Sequence, residues 1–369
     1  MGKTAIFLGA GASKADGAPL QGELFYEYFI YKQSHPLKFG GAGIENELTA
    51  FFNKVFSLTI NYQKLKSVKF PTFEEVLGLL DQALLRNESL INYEYIHSSD
   101  EDENTLQNNY GRLQKIRDYI ILMMADIIHN KLLNSNSNHV KLCNSLKQVI
   151  NEQDIIFVST NYDILIDNAL LSRNNNIYDI DYGFEFINSH LNNNDLDYFI
   201  APSSLKVKLF KLHGSLNWLY CPTCNNVKIT LLRKGIIDLI HNISNAHCRY
   251  CNTQYSPIII PPTYFKNMNN VFISTIWNKA EQALREVEHI IFCGYSFPDA
   301  DIHIKYLIKR IQTNRAIPLK FTVINNHLNK SDEERKIEKD RFNRFLGQNV
   351  NYTDNSFEEF AKKPMEIIK

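Results

Sequence analysis

Apolar and polar positions along the chain fall into two regimes. In the first, short runs are apolar almost throughout: 5–8 (AIFL), 155–159 (IIFVS), 207–212 (VKLFKL), 290–295 (IIFCGY) and 319–324 (LKFTVI). Runs of this length without strict alternation predict strands buried on both faces, as in a parallel sheet clad by helices. The stretches 163–171, 275–287 and 301–311 place apolar residues at helical spacing between the later strands. That alternation predicts an α/β fold, a Rossmann-like doubly wound parallel sheet. In the second regime, 23–150, helical spacing recurs over 73–85 and 113–133 with no strand-like run. This predicts a helical insertion between the first and second strands. Within it, 98–104 (SSDEDEN) reads as an exposed acidic loop, and farther on 330–340 reads as a charge-laced surface helix.

Composition narrows the function classes. A chain of 369 residues can bury a full core as one large domain with insertions, or as two domains. Formal net charge is zero, so no bulk field favours nucleic acid or an anionic membrane, and direct nucleic-acid binding is not expected. No apolar run reaches bilayer length and the N-terminus has no signal-peptide pattern. Six cysteines in a chain this long do not make a secreted disulfide scaffold, and a cytoplasmic protein is the expectation.

The chemistry-bearing residues begin where the first run ends, in Gly9-Ala10-Gly11-Ala12-Ser13. Glycines at such a turn leave the backbone bare, and amide N–H groups there can hold a pyrophosphate, aided by a following helix. A full dinucleotide fingerprint would place a third glycine at Lys14, so the turn alone also fits a tight connection without a ligand. Farther on, Cys221-Pro-Thr-Cys224 and Cys248-Arg-Tyr-Cys251 form two Cys-x-x-Cys knuckles. Four thiolates give Zn2+ a closed tetrahedral shell, a structural site with no open position for substrate. Unmetallated cysteines are the alternative, and His247 beside the second knuckle is a spare ligand. Cys143 and Cys293 lie in apolar surroundings and read as small core residues.

Taken in order, these pieces resemble the sirtuin family across most of the predicted sheet. Gly9 to Ser13 looks like the sirtuin NAD-binding turn, and Ser159-Thr160-Asn161-Tyr162-Asp163 resembles the Thr-x-Asn-x-Asp motif directly after a strand. His213-Gly214 is similar to the pair that carries the family's catalytic histidine, and the cysteine knuckles follow as they do in sirtuins. Gly294-Tyr295-Ser296 resembles the Gly-x-Ser at the cofactor phosphates and ribose, and Ile324-Asn325 the late Ile-Asn at the adenosine ribose. The resemblance implies one catalytic domain over 1–369, with the helical insertion at 23–150 and a zinc-binding module at 219–256 within it. It also implies NAD as substrate, with Asn161, His213 and Asp163 as catalytic residues. Gly9, Ala10, Gly11, Ser13, Thr160, Gly294, Ser296 and Asn325 are the implied NAD-binding set, and Cys221, Cys224, Cys248 and Cys251 the zinc ligands.

The pattern also departs from protein-deacetylating sirtuins, whose first turn continues Gly-x-Pro-Asp-Phe-Arg. Here that stretch is Gly17-Ala18-Pro19-Leu20-Gln21-Gly22, without the Asp, Phe and Arg. Loss of the phenylalanine that covers the reactive sugar face should admit water and favour hydrolysis of NAD over acetyl transfer. His327 stands where the late motif usually has an acidic residue or glutamine. The altered loop, the insertion and the segment 294–299 (GYSFPD) resemble NAD-consuming effectors of bacterial antiphage defence. That likeness implies a homo-oligomer and a separate partner protein, such as a HerA-type ATPase. An NAD-dependent deacylase and a non-enzymatic module that senses NAD or ADP-ribose stay open as other readings.

Overall fold

The computed structural model describes residues 2–34, 42–88, 90, 105–151, 154–171, 179–186, 206–230, 247–260, 270–313, 315–326, 330–348 and 350–368. The acidic stretch 98–104 and His327 lie outside them. The predicted apolar runs form β1 (Thr4–Leu8), β2 (Ile155–Ser159), β4 (Lys206–Lys211), β8 (His289–Cys293) and β9 (Lys320–Ile324). Two short strands, β3 (Asp179–Asp181) and β10 (Val350–Thr353), complete a seven-stranded sheet ordered β10-β9-β8-β1-β2-β4-β3, with every pairing parallel. β1, β2 and β8 are buried along their whole length, as their unbroken apolar runs require.

The sheet is wound in both directions from β1. After β2, the chain passes through α8 (Leu165–Leu171) towards β4; after β8, it passes through α10 (Ile302–Thr313) to β9 on the other side of β1. Because such crossovers are right-handed, α8 and α10 cover opposite faces, and the order reverses beside β1. α9 (Val271–Leu284), α11 (Asp332–Leu346), α12 (Phe357–Lys362) and α13 (Met365–Ile368) complete this part of the chain. Ser331 with Glu334, and Ser356 with Glu359, close capping boxes that start α11 and α12.

Inside β4, the charged Lys211 is fully buried beside its equally buried apolar neighbours Leu209 and Phe210. Its Nζ donates to the Asp163 carbonyl and lies 3.0 Å from the Asp167 carboxylate, which also accepts from the Tyr182 hydroxyl at 2.7 Å. A buried cation of this kind is tolerable only with such partners, and here they tie β4 to the start of α8.

Between β1 and β2, the described chain is helical: α1 (Ala10–Ala15), α2 (Leu24–Ser34), α3 (Ala42–Phe56), α4 (Phe73–Leu85), α5 (Thr105–Lys131), α6 (Asn138–Ser145) and α7 (Lys147–Asn151). The start of α4 is set by a capping box between Thr72 and Glu75. α2 to α5 bury a second core rich in aromatic rings, among them Phe25, Phe29, Phe52 and Phe73. That core runs on into a small antiparallel sheet, β6-β5-β7, made by β5 (Gly214–Tyr220), β6 (Val227–Ile229) and β7 (Ser256–Ile259). Leu219, Cys221, Cys248 and Tyr255 of this ribbon share the second core with Tyr162, which follows β2. The helical layer is thereby packed against the edge where β2 and β4 end. Among the described residues, no helix is long and apolar enough to cross a membrane.

Candidate functional site

Parallel strands deliver their connecting loops to one edge, and the reversal beside β1 opens a crevice there. A cavity of about 710 Å³ occupies it. It is lined by the β1 turn, the β2, β4, β8 and β9 ends, and apolar side chains from the helical layer.

The β1 turn differs in detail from its sequence reading. Gly9 has φ −104°, and among the glycines with positive φ are Gly214 and Gly294 but neither Gly9 nor Gly11. The Gly9 amide donates to the Cys293 carbonyl at 3.0 Å and the Gly11 amide to the Gly294 carbonyl at 2.8 Å. A Cβ on Gly9 would lie 2.6 Å from the Gly294 oxygen, and one on Gly11 would lie 2.8 Å from Gly294 Cα. These glycines are small so that two loops can touch backbone to backbone, and their amides bond protein rather than facing the cavity. α1, which follows, is only six residues long. Of the remaining turn residues, Ala10 is exposed, and both it and Gly11 line the cavity.

Asn161, Ser13 and Asp163 form one network. Ser13 Oγ donates to Asp163 Oδ2 at 2.6 Å, since an ionised carboxylate can only accept. With its single proton used, Ser13 Oγ accepts from Asn161 Nδ2 at 2.8 Å, and the same Nδ2 donates to the Gly9 carbonyl at 2.9 Å. Two acceptors on one nitrogen set the orientation of the amide and leave its carbonyl oxygen on the other side. Asp163 is buried, and its Oδ1 accepts from the Leu165 amide at 3.0 Å at the start of α8. It acts here as the anchor that holds Ser13. Thr160 lines the cavity, and its amide is bound to the Leu8 carbonyl.

His213 follows β4 at a corner. Its carbonyl accepts from the Ile260 amide at 2.9 Å, and the preceding Leu212 carbonyl accepts from Trp277 Nε1 at 2.9 Å. Gly214 has φ +83° and a Cβ there would strike the Ile258 oxygen at 2.0 Å, so a His-Gly pair is what lets the corner pack on β7. The buried imidazole lines the cavity, with Nε2 3.8 Å from Asp301 Oδ1. Asp301 Oδ2 accepts from the Tyr295 hydroxyl at 2.8 Å. Burial, with Asp301 beside them, pushes the Tyr162 and Tyr295 hydroxyls well above their ordinary range. Both are therefore proton donors: Tyr295 to Asp301, and Tyr162 to the Ile260 carbonyl at 2.7 Å.

Gly294 and Ser296 reach the cavity from the β8 end, and Asn325 from the β9 end. Phe297, between them, has φ +54°, and its fully buried ring is held by Phe342 and Phe345. Asn325 Nδ2 donates to the Tyr295 carbonyl at 3.1 Å and to Glu338, which also pairs with Lys330. Its Oδ1 is buried with no hydrogen-bond partner among the described residues. The first turn contributes Pro19, Leu20 and Gln21, and the wall beside them comes from Leu24, Phe73, Met124 and Ile128.

Of the candidate catalytic and NAD-binding residues, all but Gly9 line the cavity, and Gly9 packs against Gly294 and Tyr295. Sequence reasoning missed Asp301, Tyr295 as its partner, and the helical-layer wall. Asp301 precedes α10, where the sequence reads it as the first residue of the helix over 301–311; the second acid in Asp299-Ala300-Asp301 was the available signal. Asp299, within the segment that had been singled out, instead points to Lys305 at 2.6 Å and is exposed.

The four knuckle cysteines lie together, with all Sγ atoms within 4.8 Å of one another. Individual separations are 3.3 Å (Cys221–Cys251), 3.5 Å (Cys224–Cys248) and 3.9 Å (Cys224–Cys251). Sulfurs around tetrahedral zinc, with bonds of about 2.3 Å, stand about 3.8 Å apart, so the cluster fits such an ion. The two knuckles match: Asn225 and Asn252 have φ near +55°, and their amides donate back to the Cys221 and Cys248 carbonyls. His247 pairs through its backbone with Gln254, across the second knuckle.

Several solved structures overlay on this chain. One is a Sir2 in complex with the inhibitor EX-527, 2'-O-acetyl-ADP-ribose and a deacetylated p53 peptide: 15% identity over 99% of this chain and 93% of that one, TM-score 0.39. Another is described as the structural basis for the mechanism and regulation of Sir2 enzymes, at 13% identity over 98% and 91%, TM-score 0.42. A third is a Sir2 with p53 peptide and NAD+, at 14% identity over 99% and 92%, TM-score 0.39. No curated protein matches the chain. A family model described as SIR2-like domain matches residues 155–346. The match opens on the first residue of β2 and closes on the last of α11, leaving only the β1 turn, the helical layer and α12 to complete the cavity; the chain belongs to the SIR2-like domain family.

Proposed function

We propose that this protein is an NAD glycohydrolase, cleaving the nicotinamide–ribose bond to release nicotinamide and ADP-ribose. The observation that carries the reading is the convergence of Asn161 and His213 on one cavity at the reversal of the sheet, beside a first turn that lacks the Asp-Phe-Arg of protein-deacetylating sirtuins. When the nicotinamide leaves, positive charge develops on the ribose, and oriented dipoles lower that barrier. The Asn161 carbonyl, held by the bonds its amide nitrogen makes to Gly9 and Ser13, is such a dipole. His213 takes a proton from water as it adds to the sugar, a task suited to an imidazole near neutral pH. Asn325, whose Oδ1 has no partner among the described residues, is available to a hydroxyl of the distal ribose.

Purified protein supplied with NAD should release nicotinamide and ADP-ribose in equal amounts, and His213→Ala should lower the rate by about 10²–10⁴-fold. The apolar wall of Phe73, Met124 and Ile128 favours one competing reading, an NAD-dependent deacylase with room for an acyl chain. Nicotinamide release that requires an acyl-lysine peptide would establish that reading and reject hydrolysis. Consumption of NAD as a step in antiphage defence, in an oligomer or with a HerA-type ATPase, goes with the hydrolytic reading through sequence resemblance alone.

The four cysteines are proposed to hold a structural Zn2+. Cys221 and Cys248 lie within the second core, so loss of the ion should loosen the ribbon and the helical layer together. Chelation is expected to lower the thermal midpoint by about 10 °C or more, because structural zinc supplies folding free energy directly. Calorimetry alongside a metal assay checks this, and a chelated protein free of zinc with an unchanged midpoint would refute it.

A further inference from the structure

We propose that Asp301 is a second proton-handling group of the site, gripping the attacking water jointly with His213. This rests on the hydrolytic reading above. Both side chains are buried, and both line the cavity. Their 3.8 Å separation is longer than a hydrogen bond. It is the span that one water bridges with about 2.8 Å to each atom. The Tyr295 hydroxyl holds the other carboxylate oxygen at 2.8 Å, so Asp301 cannot swing away and keeps Oδ1 towards the imidazole.

The step balances without a further reagent. The nicotinamide–ribose C–N bond breaks and its electron pair goes to the pyridinium nitrogen, so nicotinamide leaves neutral. The water oxygen bonds to the ribosyl carbon, and the proton it loses passes to the His213–Asp301 pair and then to solvent. A carboxylate beside the imidazole stabilises the imidazolium formed at that moment. Among the described residues, the titratable groups around His213 include Asp301 and Tyr295 from the β8–α10 segment and Tyr162 from the β2–α8 segment. Glu74, Asp81 and Arg117 of the helical layer act on Tyr162 from farther off. The two tyrosines stay protonated, and the Asp301 carboxylate stands 3.8 Å from the imidazole.

Asp301→Asn tests this, because asparagine still accepts from Tyr295 while the charge and the proton acceptor are gone. Nicotinamide release should fall about 10²-fold or more in kcat, with KM and calorimetric NAD affinity within about threefold of the parent. Combined with His213→Ala, it should add less than about threefold, as expected of groups that act as a unit. Independently of turnover, the His213 imidazole, followed by NMR, should titrate at lower pH in Asp301→Asn. Turnover within about threefold of the parent, multiplicative losses in the double variant, or an unmoved His213 titration would each overturn the assignment. If the parent releases no nicotinamide, the hydrolytic reading fails, and the NMR titration alone decides whether the two side chains are coupled. Should Asp301→Asn fail to fold, Asp301→Glu keeps the charge on a longer arm: kcat should fall while NAD affinity holds, and an unchanged kcat would overturn the assignment.

Discussion

Asn161→Ala is expected to slow nicotinamide release by about 10³-fold, the scale lost when one pre-oriented dipole is removed from a developing charge. The expectation comes from how the side chain is held. Its nitrogen bonds the Gly9 carbonyl and Ser13 Oγ, and Ser13 is in turn committed to Asp163. No reorientation is then needed as the sugar becomes cationic. The same bonds each contribute about 1 kcal/mol to folding, so the alanine variant should remain folded with a modestly lower midpoint. Asn161→Asp is the sharper control. It keeps the size but presents an acceptor to the Gly9 carbonyl, and it should lose both activity and the local geometry. Nicotinamide release quantified by chromatography, alongside NAD binding by calorimetry, separates a lost rate from a lost site. An alanine variant that turns over within about threefold of the parent would remove Asn161 from the mechanism.

Gly294→Ala is expected to be the most damaging small substitution for the fold, destabilising by more than about 4 kcal/mol. Gly294 has φ +60°, and an added Cβ would lie 2.1 Å from the Ala12 amide nitrogen and 2.4 Å from the Gly11 carbonyl carbon. Both contacts are backbone, so no side chain can turn aside to relieve them. The residue also accepts from the Gly11 amide and donates to the Ile324 carbonyl at 2.9 Å, linking the ends of β1, β8 and β9. Pushing these loops apart would therefore open the cavity floor as well as strain the core. Gly22→Ala is the matched control, since nothing lies within 4 Å of its added Cβ. Denaturant midpoints for the two variants should differ by nearly the whole effect. Equal midpoints would show that the loops relax apart at little cost.

Much of this architecture was legible along the chain because burial on both faces of a parallel strand leaves an unbroken apolar run. β1, β2, β4, β8 and β9 each match such a run to within a residue or two, and α4 spans 73–85 as its spacing predicts. The edge strands β3 and β10 were not legible: they are three and four residues long, and β3 is Asp-Ile-Asp. Paired cysteines at two-residue spacing announced their cluster for a local reason, since a knuckle's geometry is set within a few residues.

What lies across the cavity obeys no local rule. Asp301 meets His213 only because β8 and β4 end at the same edge of the sheet, with β1 and β2 between them. Phe73, Met124 and Ile128 reach the wall because the helical layer shares its core with the ribbon. Even Gly9 and Gly11, found at once by their spacing, owe their smallness to Gly294, more than 280 residues away. Periodicity and spacing report which residues are buried and which can bind an ion, because those are properties of short segments. Which buried groups face one another is settled by strand order, and strand order is a property of the whole chain.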